Sequence, residues 1–306
     1  MVEGKKVTNV YRAHILLILA VLFWSGNTIV GRAIHESVPP IALAFWRWSF
    51  ALCILLPFTI GHVRRDWPVI KANIGLIVLL SALGVASFNT LLYVGLHSTS
   101  AINALLIQST IPFVIVGMAA IVFRERISAF PVFGILAALA GTVVIIGEGK
   151  IHSLQSITAS KGDLYVGLGV LCYSAYAIFL RFRPDIHPLS LVGVSFFIGV
   201  LLLFPAYLWE VLFFARAEWS RLTLLSIGYL AIFPSIISFL FFNEGVAAIG
   251  AAQAGQYLYL MPVFGSVMAI IGLGESMQLF HAVGFLLIVL GIGMSYCESH
   301  SGVSSS

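Results

Sequence analysis

The residues that invite a chemical reading are polar side chains set inside long apolar stretches: Asn27, Asn89, Tyr93, Asn103, Gln108, Tyr173, Tyr176, Asn243, Gln253, Gln256 and Tyr257. A polar group in hydrocarbon is costly, so it normally faces a bundle interior, a partner or a cavity. Asn89 and Tyr93 are four residues apart, as are Gln253 and Tyr257, so each pair shares one face of a helix. Such amides and phenols suit the lining of a cavity for a polar or zwitterionic solute. They equally suit hydrogen bonds that tie helices together.

Trp24, Trp46 and Arg47 form a second group, with Arg47 flanked by Trp46 and Trp48. Arg47 either attracts a carboxylate or counter-charge in a pathway, or snorkels to the outer interface among belt tryptophans. Trp67, Trp209 and Trp219 stand at the ends of apolar runs and read as belt residues. No Ser/His/Asp set or carboxylate–histidine cluster stands at membrane depth, which argues against an enzyme. Cys53, Cys172 and Cys297 lie far apart without ligand spacing, so no metal or other cofactor is expected. Gly4-Lys5 and Gly149-Lys150 lack the Ser/Thr and upstream glycine of a phosphate loop, which excludes an ATP-driven pump in one chain.

The elements that position these groups follow from composition. Of 306 residues, 60% are hydrophobic and 9% charged, against about 45–50% and about 25% in soluble domains. So little charge cannot cover a water-exposed surface of this size, and the lipid bilayer is the expected surrounding. The net charge of +4 is spread over run ends rather than gathered in a patch, so nucleic acid is not an expected partner. About 20 predominantly apolar residues cross the hydrocarbon core. Ten such runs occur, near 13–34, 41–60, 72–96, 100–123, 130–147, 163–181, 189–213, 222–243, 250–273 and 279–297. The first is too long, and lacks the cleavage site, for a signal peptide.

With the N-terminus inside, Lys5, Lys6, Arg12, Arg64, Arg65, Lys71, Arg124, Arg126, Arg181 and Arg183 fall on the cytoplasmic side. Lys150, Lys161, Arg216 and Arg221 fall outside, so the positive-inside rule favours both termini in the cytoplasm.

The two halves repeat. Pro112 and Pro262, Glu125 and Glu275, Gly134 and Gly284, and Gly141 and Gly291 are each 150 residues apart. Ser25 and Ser174 differ by 149, while Pro40 and Pro188, and Pro57 and Pro205, differ by 148. Five spans per half is an odd number, so the second copy runs inverted, which is a signature of secondary transporters with a site near the midplane. The expected fold is an all-α integral membrane protein of ten transmembrane helices, as two inverted five-helix repeats (1–148 and 149–306) around a central cavity.

The motifs Phe23-Trp24-Ser25-Gly26-Asn27 and Ala44-Phe45-Trp46-Arg47 carry a family likeness. So does the proline-bearing span that ends on a glutamate thirteen residues later, Pro112 to Glu125 and Pro262 to Glu275, each followed by a glycine-rich helix. The chain resembles the EamA-type branch of the drug/metabolite transporter superfamily over essentially its whole length. The resemblance implies export of amino acids, aromatic ones among them, or of other small metabolites from the bacterial inner membrane. Riboflavin-like carriers share the motifs.

Pro112 and Pro262 are expected mid-span, as kinks that either hinge or widen the cavity. Glu125 and Glu275 are expected near opposite faces, as gates or as carboxylates favouring the next helix start. Gly134, Ala138 and Gly141 make a stripe for close packing within the fold or, as runner-up, a dimer; monomer and dimer both stay open. Glu244, beside Asn243, is the deepest plausible carboxylate for proton coupling. The scarcity of such groups favours a facilitator, with proton antiport as the alternative.

Overall fold

The computed structural model describes residues 2–99, 101–124, 129–147, 160–273 and 278–301, and helix is the only regular structure among them. The first half contains α1 (Val2–Ala33), α2 (Pro40–Ala72), α3 (Ile74–Leu80), α4 (Phe88–Leu96), α5 (Ala101–Gln108), α6 (Ile111–Phe123) and α7 (Ala129–Ile146). The second contains α8 (Lys161–Phe179), α9 (Pro188–Phe213), α10 (Arg221–Leu230), α11 (Ser238–Ile249), α12 (Ala251–Gln256), α13 (Leu260–Leu273) and α14 (Leu279–Ser301). Among the described residues seven segments are long and apolar enough to span a membrane: 11–33, 40–72, 74–96, 103–123, 161–182, 188–213 and 221–249. Val132–Ile145 and Leu279–Met294 are shorter apolar helices. Large apolar side chains such as Ile121, Phe213 and Leu286 are exposed on the outside, while Arg47, Asn89 and Ser235 are buried. That inversion of the water-soluble pattern is what a lipid environment demands.

Irregularities repeat with the sequence. A π-helical segment, Ser81–Ser87, joins α3 to α4, and another, Ala231–Ile237, joins α10 to α11, 150 residues later at both ends. A serine hydroxyl adds a bond at each of these segments: Ser81 Oγ donates to the Ile77 carbonyl (2.6 Å), which also accepts the Ser81 N–H, and Ser235 Oγ donates to the Leu230 carbonyl (2.7 Å). The helix is irregular just ahead of both prolines, and Pro112 stands in the middle of the 103–123 span as the sequence suggested. Pro112 occupies the first turn of α6 after the α5 helix has ended, and Pro262 the first turn of α13 after a 3-10 turn at Tyr257–Tyr259. Proline is favoured there because its missing N–H has no intrahelical acceptor to lose. The Ser109 and Thr110 hydroxyls donate to the Leu106 and Ile107 carbonyls, and the Ile107 carbonyl also accepts the Thr110 N–H (3.1 Å).

Contacts between the halves are reciprocal. A Cβ on Gly141 would lie 2.6 Å from the Gly284 carbonyl oxygen, and one on Gly291 would collide with the Gly134 carbonyl. As numbers rise along α7 their partners on α14 fall, so the two helices run antiparallel at backbone contact. The glycine stripe is thus spent on packing within the fold. Gly95 lies against Val166 and Gly245 against Leu17, a pair of contacts exchanged by the same offset. Carboxylates repeat the pattern between α2 and α9. Glu210 accepts from the Ile41 and Ala42 N–H groups at the start of α2 (3.1 and 2.6 Å). Asp66 accepts from the His187 N–H and the Ser190 hydroxyl at the start of α9 (2.9 and 2.7 Å). Each helix therefore supplies the anion at its partner's positive end.

Candidate functional site

The polar core is built around Arg47, seven residues into α2 and 0% exposed. Its Nη1 lies within hydrogen-bond distance of Asn27 Oδ1 on α1 (2.9 Å), and of Asn89 Oδ1 (2.6 Å) and Tyr93 Oη (2.8 Å) on α4. Two hydrogens on Nη1 are shared among three acceptors. Nε donates to Ser235 Oγ in the second π-helical segment (2.5 Å), and the guanidinium carbon stands 4.7 Å from the centre of the Trp48 ring. Tyr93 in turn donates to Asn27 Oδ1 (2.7 Å). Every one of these acceptors is neutral. The snorkelling alternative for Arg47 is therefore overturned: the side chain turns into the bundle, where polar partners replace water.

An aromatic wall adjoins this network. Trp24 packs against Tyr173 (5.8 Å between ring centres), Phe242 (5.2 Å) and Phe239 (6.2 Å), and its indole N–H donates to the Pro234 carbonyl that the π turn exposes (2.8 Å). Trp48 contacts Phe196 and Phe239, and Tyr173 contacts Tyr176. Tyr176 donates to Asn243 Oδ1 (2.6 Å), and the Asn243 backbone carbonyl accepts from Arg183 Nη1 (3.0 Å).

Arg183 also lines a cavity of about 650 Å³, together with Phe123, Arg181, Asp185, Gly250 and Gln253. The cavity lies between the ends of α6, α8 and α11 and the start of α12. At the other end of the bundle, among the described residues, the start of α8 packs closely on the end of α4. A Cβ on Gly162 would collide with the Gly95 carbonyl, and Asp163 accepts from Thr99 Oγ1, from Asn103 and from the Ser160 N–H. Arg32 donates to the Leu96 carbonyl there (2.6 Å), and His35 lies beside His97 (5.7 Å between ring centres). Burial, with the His35 and Arg32 charges nearby, holds His97 below its ordinary pKa.

Of the sequence candidates, Trp24, Asn27, Arg47, Asn89, Tyr93, Tyr173, Tyr176 and Asn243 come together as one connected core. Gln253 lines the cavity, whereas Asn103 stands at the closed end against Asp163. Gln108 donates to the Ala104 carbonyl of its own helix, Gln256 is buried in α12, and Tyr257 bonds His14. Trp46 packs on Trp219 and Tyr207 away from the network. Glu125 and Glu275 lie outside the described residues. Glu244 is not deep: its side chain is 43% exposed and pairs with Arg12 at 3.0 Å. Sequence reasoning missed Ser235, Trp48, Phe239 and Phe242. A mid-span serine after Pro234 was a faint signal for the first, and the others are ordinary apolar residues until the fold assembles them.

The profile of the EamA-like transporter family matches residues 11–147 and again 160–297. An uncharacterized transporter of Bacillus subtilis (strain 168), YyaM, is 28% identical over 257 residues, 83% of each chain. An uncharacterized transporter of Clostridium kluyveri is 22% identical over 94% of each chain. An uncharacterized inner membrane transporter of Salmonella typhimurium, YicL, is 24% identical over 90% of this chain and 92% of that one. A solved crystal structure superposes with a TM-score of 0.74 at 20% identity, covering 94% of this chain and 98% of the other.

Proposed function

The chain belongs to the EamA-like transporter family, and from that premise we propose that it is a secondary transporter exporting amino acids or similar small metabolites across the bacterial inner membrane by alternating access. In this reading residues 1–148 and 149–306 are two inverted five-helix units, ten spans in all, with both termini in the cytoplasm. The reciprocal contacts of α7 with α14 and of α2 with α9 support inversion, because a pseudo-twofold axis in the membrane plane exchanges such contacts.

One observation carries the proposal: a buried polar and aromatic core is linked through the Arg183–Asn243 bond to a cavity at one end, while at the other end α8 packs on α4 among the described residues. With the charge-based orientation, the cavity faces the cytoplasm, where an exporter loads. Gln253 and Arg183 then serve entry, the Arg47 network holds the solute, and the Asp163 cluster with Asn103 closes the exit. The helix breaks before Pro112 and Pro262 are the places where segments can swing with little loss of hydrogen bonding. The position of Glu244, exposed and paired with Arg12, favours a facilitator.

Counterflow in proteoliposomes tests the reading. Candidate solutes from a growth-rescue screen against toxic amino acids and analogues are offered as labelled tracer outside vesicles loaded with the unlabelled compound. A carrier gives transient, saturable overshoot that depends on the internal solute; linear, unsaturated flux indicates a channel and contradicts it.

A further inference from the structure

The Arg47 network has an unbalanced charge. Arg47 is wholly buried, yet its partners Asn27, Asn89, Tyr93 and Ser235 are all neutral. Among the described residues the ion pairs are Arg12–Glu244 and Arg65–Asp66, so no carboxylate answers it. A buried cation without a counter-ion is strongly disfavoured. Arg47 Nη2 and the Nε1 of the Trp48 beneath it lack a hydrogen-bond partner among the described residues, as does Tyr173 Oη in the aromatic cluster. Nη2 is the free prong of a fork whose geometry matches a carboxylate. Trp48, under the guanidinium, packs on Phe239, which leads to the aromatic wall of Trp24, Tyr173 and Phe242; that wall offers ring faces and edges but no acidic side chain for an ammonium group.

We infer that Arg47 is the receptor for the carboxylate of an organic anion whose flat, apolar body rests on the Trp24–Tyr173–Phe242 wall. This rests on the carrier reading above and, among the small metabolites it allows, favours carboxylic acids over amino acids. The carboxylate completes the fork and supplies the missing negative charge. A zwitterion brings a second positive charge with no acidic partner, so a plain acid is the better ligand and an amine the worst. Arg47 stays with the protein through the cycle, so uniport of a monoanion moves one negative charge. An inside-negative membrane potential then drives export by itself, with about tenfold accumulation outside per ~59 mV.

The test uses the full chain in proteoliposomes with three labelled probes: 3-phenylpropionate, L-phenylalanine and phenethylamine. Uptake is followed with and without an imposed inside-positive potential. The expected order is acid, then zwitterion, then amine, with acid uptake rising with the potential. Arg47→Gln should lower acid uptake at least tenfold. Because that change could weaken folding, Asn89→Asp is the second variant. Its carboxylate would replace an acceptor 2.6 Å from Nη1 and satisfy Arg47 internally. The expected result is at least a tenfold loss of acid uptake with thermal stability equal to or above the parent. A purely structural Arg47 predicts undiminished uptake in Asn89→Asp, which overturns the inference. Amine uptake equal to acid uptake also overturns it, and so does no uptake of either carboxylate. Counterflow with solutes found by growth rescue then judges the carrier reading separately.

Discussion

The Asn27–Tyr93 and Tyr176–Asn243 pairs occupy corresponding places in the two halves, at offsets of 149 and 150, with amide and phenol exchanged. Around the first pair stand Arg47, Asn89 and Ser235. The corresponding positions around the second hold Ser195, Phe239 and Val85. The duplicated fold keeps a hydrogen bond in the same place while the surrounding chemistry diverges into one cationic, amide-rich pole and one aromatic pole. Symmetry in this chain belongs to the helix packing; asymmetry belongs to the polar core.

The largest effect that can break this comparison is at its charged member. Arg47→Gln should reduce transport by at least about tenfold, some 1.4 kcal/mol of lost binding, whereas Ser195→Ala at the corresponding place should stay within about twofold; initial uptake rates measure both. Equal losses would mean that the poles are not distinct.

The phenols should differ next. Tyr93 both accepts from Arg47 and donates to Asn27, whereas Tyr176 only donates to Asn243. Tyr93→Phe should cost about 2–3 kcal/mol and Tyr176→Phe about 1 kcal/mol, because a bond to a charged group is worth more and a buried orphan is penalised. Thermal unfolding in detergent reads the difference.

Glycines sharpen the packing side of the argument. Gly284→Ala drives a methyl to 2.8 Å from the Gly141 carbonyl, whereas Gly293 on the same helix meets nothing within 4 Å. The first substitution should destabilise by about 1–3 kcal/mol through overpacking, and Gly293→Ala should be neutral or stabilising by up to about 1 kcal/mol through helix propensity.

The smallest effect is pH-dependent. His187 stacks on His62 with ring centres 3.8 Å apart where α9 meets α2. Burial, then the His62 and Arg65 charges, lower its pKa from the ordinary 6.5, while Asp66 opposes them. A folded-state pKa below the unfolded one means that the unfolded chain binds the proton more readily, so stability is full above about pH 6.5 and falls as pH drops below it. The shift in unfolding temperature between pH 7.5 and 5.5 should shrink in His187→Gln.

Much of this architecture was legible. The apolar runs at 72–96, 189–213 and 250–273 match their helices within a few residues, and the 150-residue offset reappears in the two π-helical segments. The π turns themselves were not legible, because Ser81–Ser87 and Ala231–Ile237 carry no sequence signal beyond a mid-span serine. Tertiary partners Trp24 and Arg47 bond the second turn at the Pro234 carbonyl and the Ser235 hydroxyl. Asn103 and Gln253 looked equivalent in sequence and are not equivalent in space: Gln253 lines the cavity whereas Asn103 bonds Asp163, a difference that a repeat pattern cannot show. The carboxylate caps at Asp66 and Glu210 were hidden for a related reason. Each answers a helix start more than a hundred residues away.

The coupling of the two ends is the central claim, and paired accessibility tests it most directly. In a background lacking the native cysteines, Gln253→Cys and Asn103→Cys are labelled with a membrane-impermeant maleimide applied from each side of oriented vesicles. Labelling should be strong at position 253 from the cytoplasmic side and weak at 103. Adding Asp163→Ala removes the latch that Thr99, Asn103 and Ser160 make. Alternating access predicts that labelling at 103 then rises from the outside while labelling at 253 falls. A rise at 103 with no change at 253 would show that the ends open independently and would contradict the account.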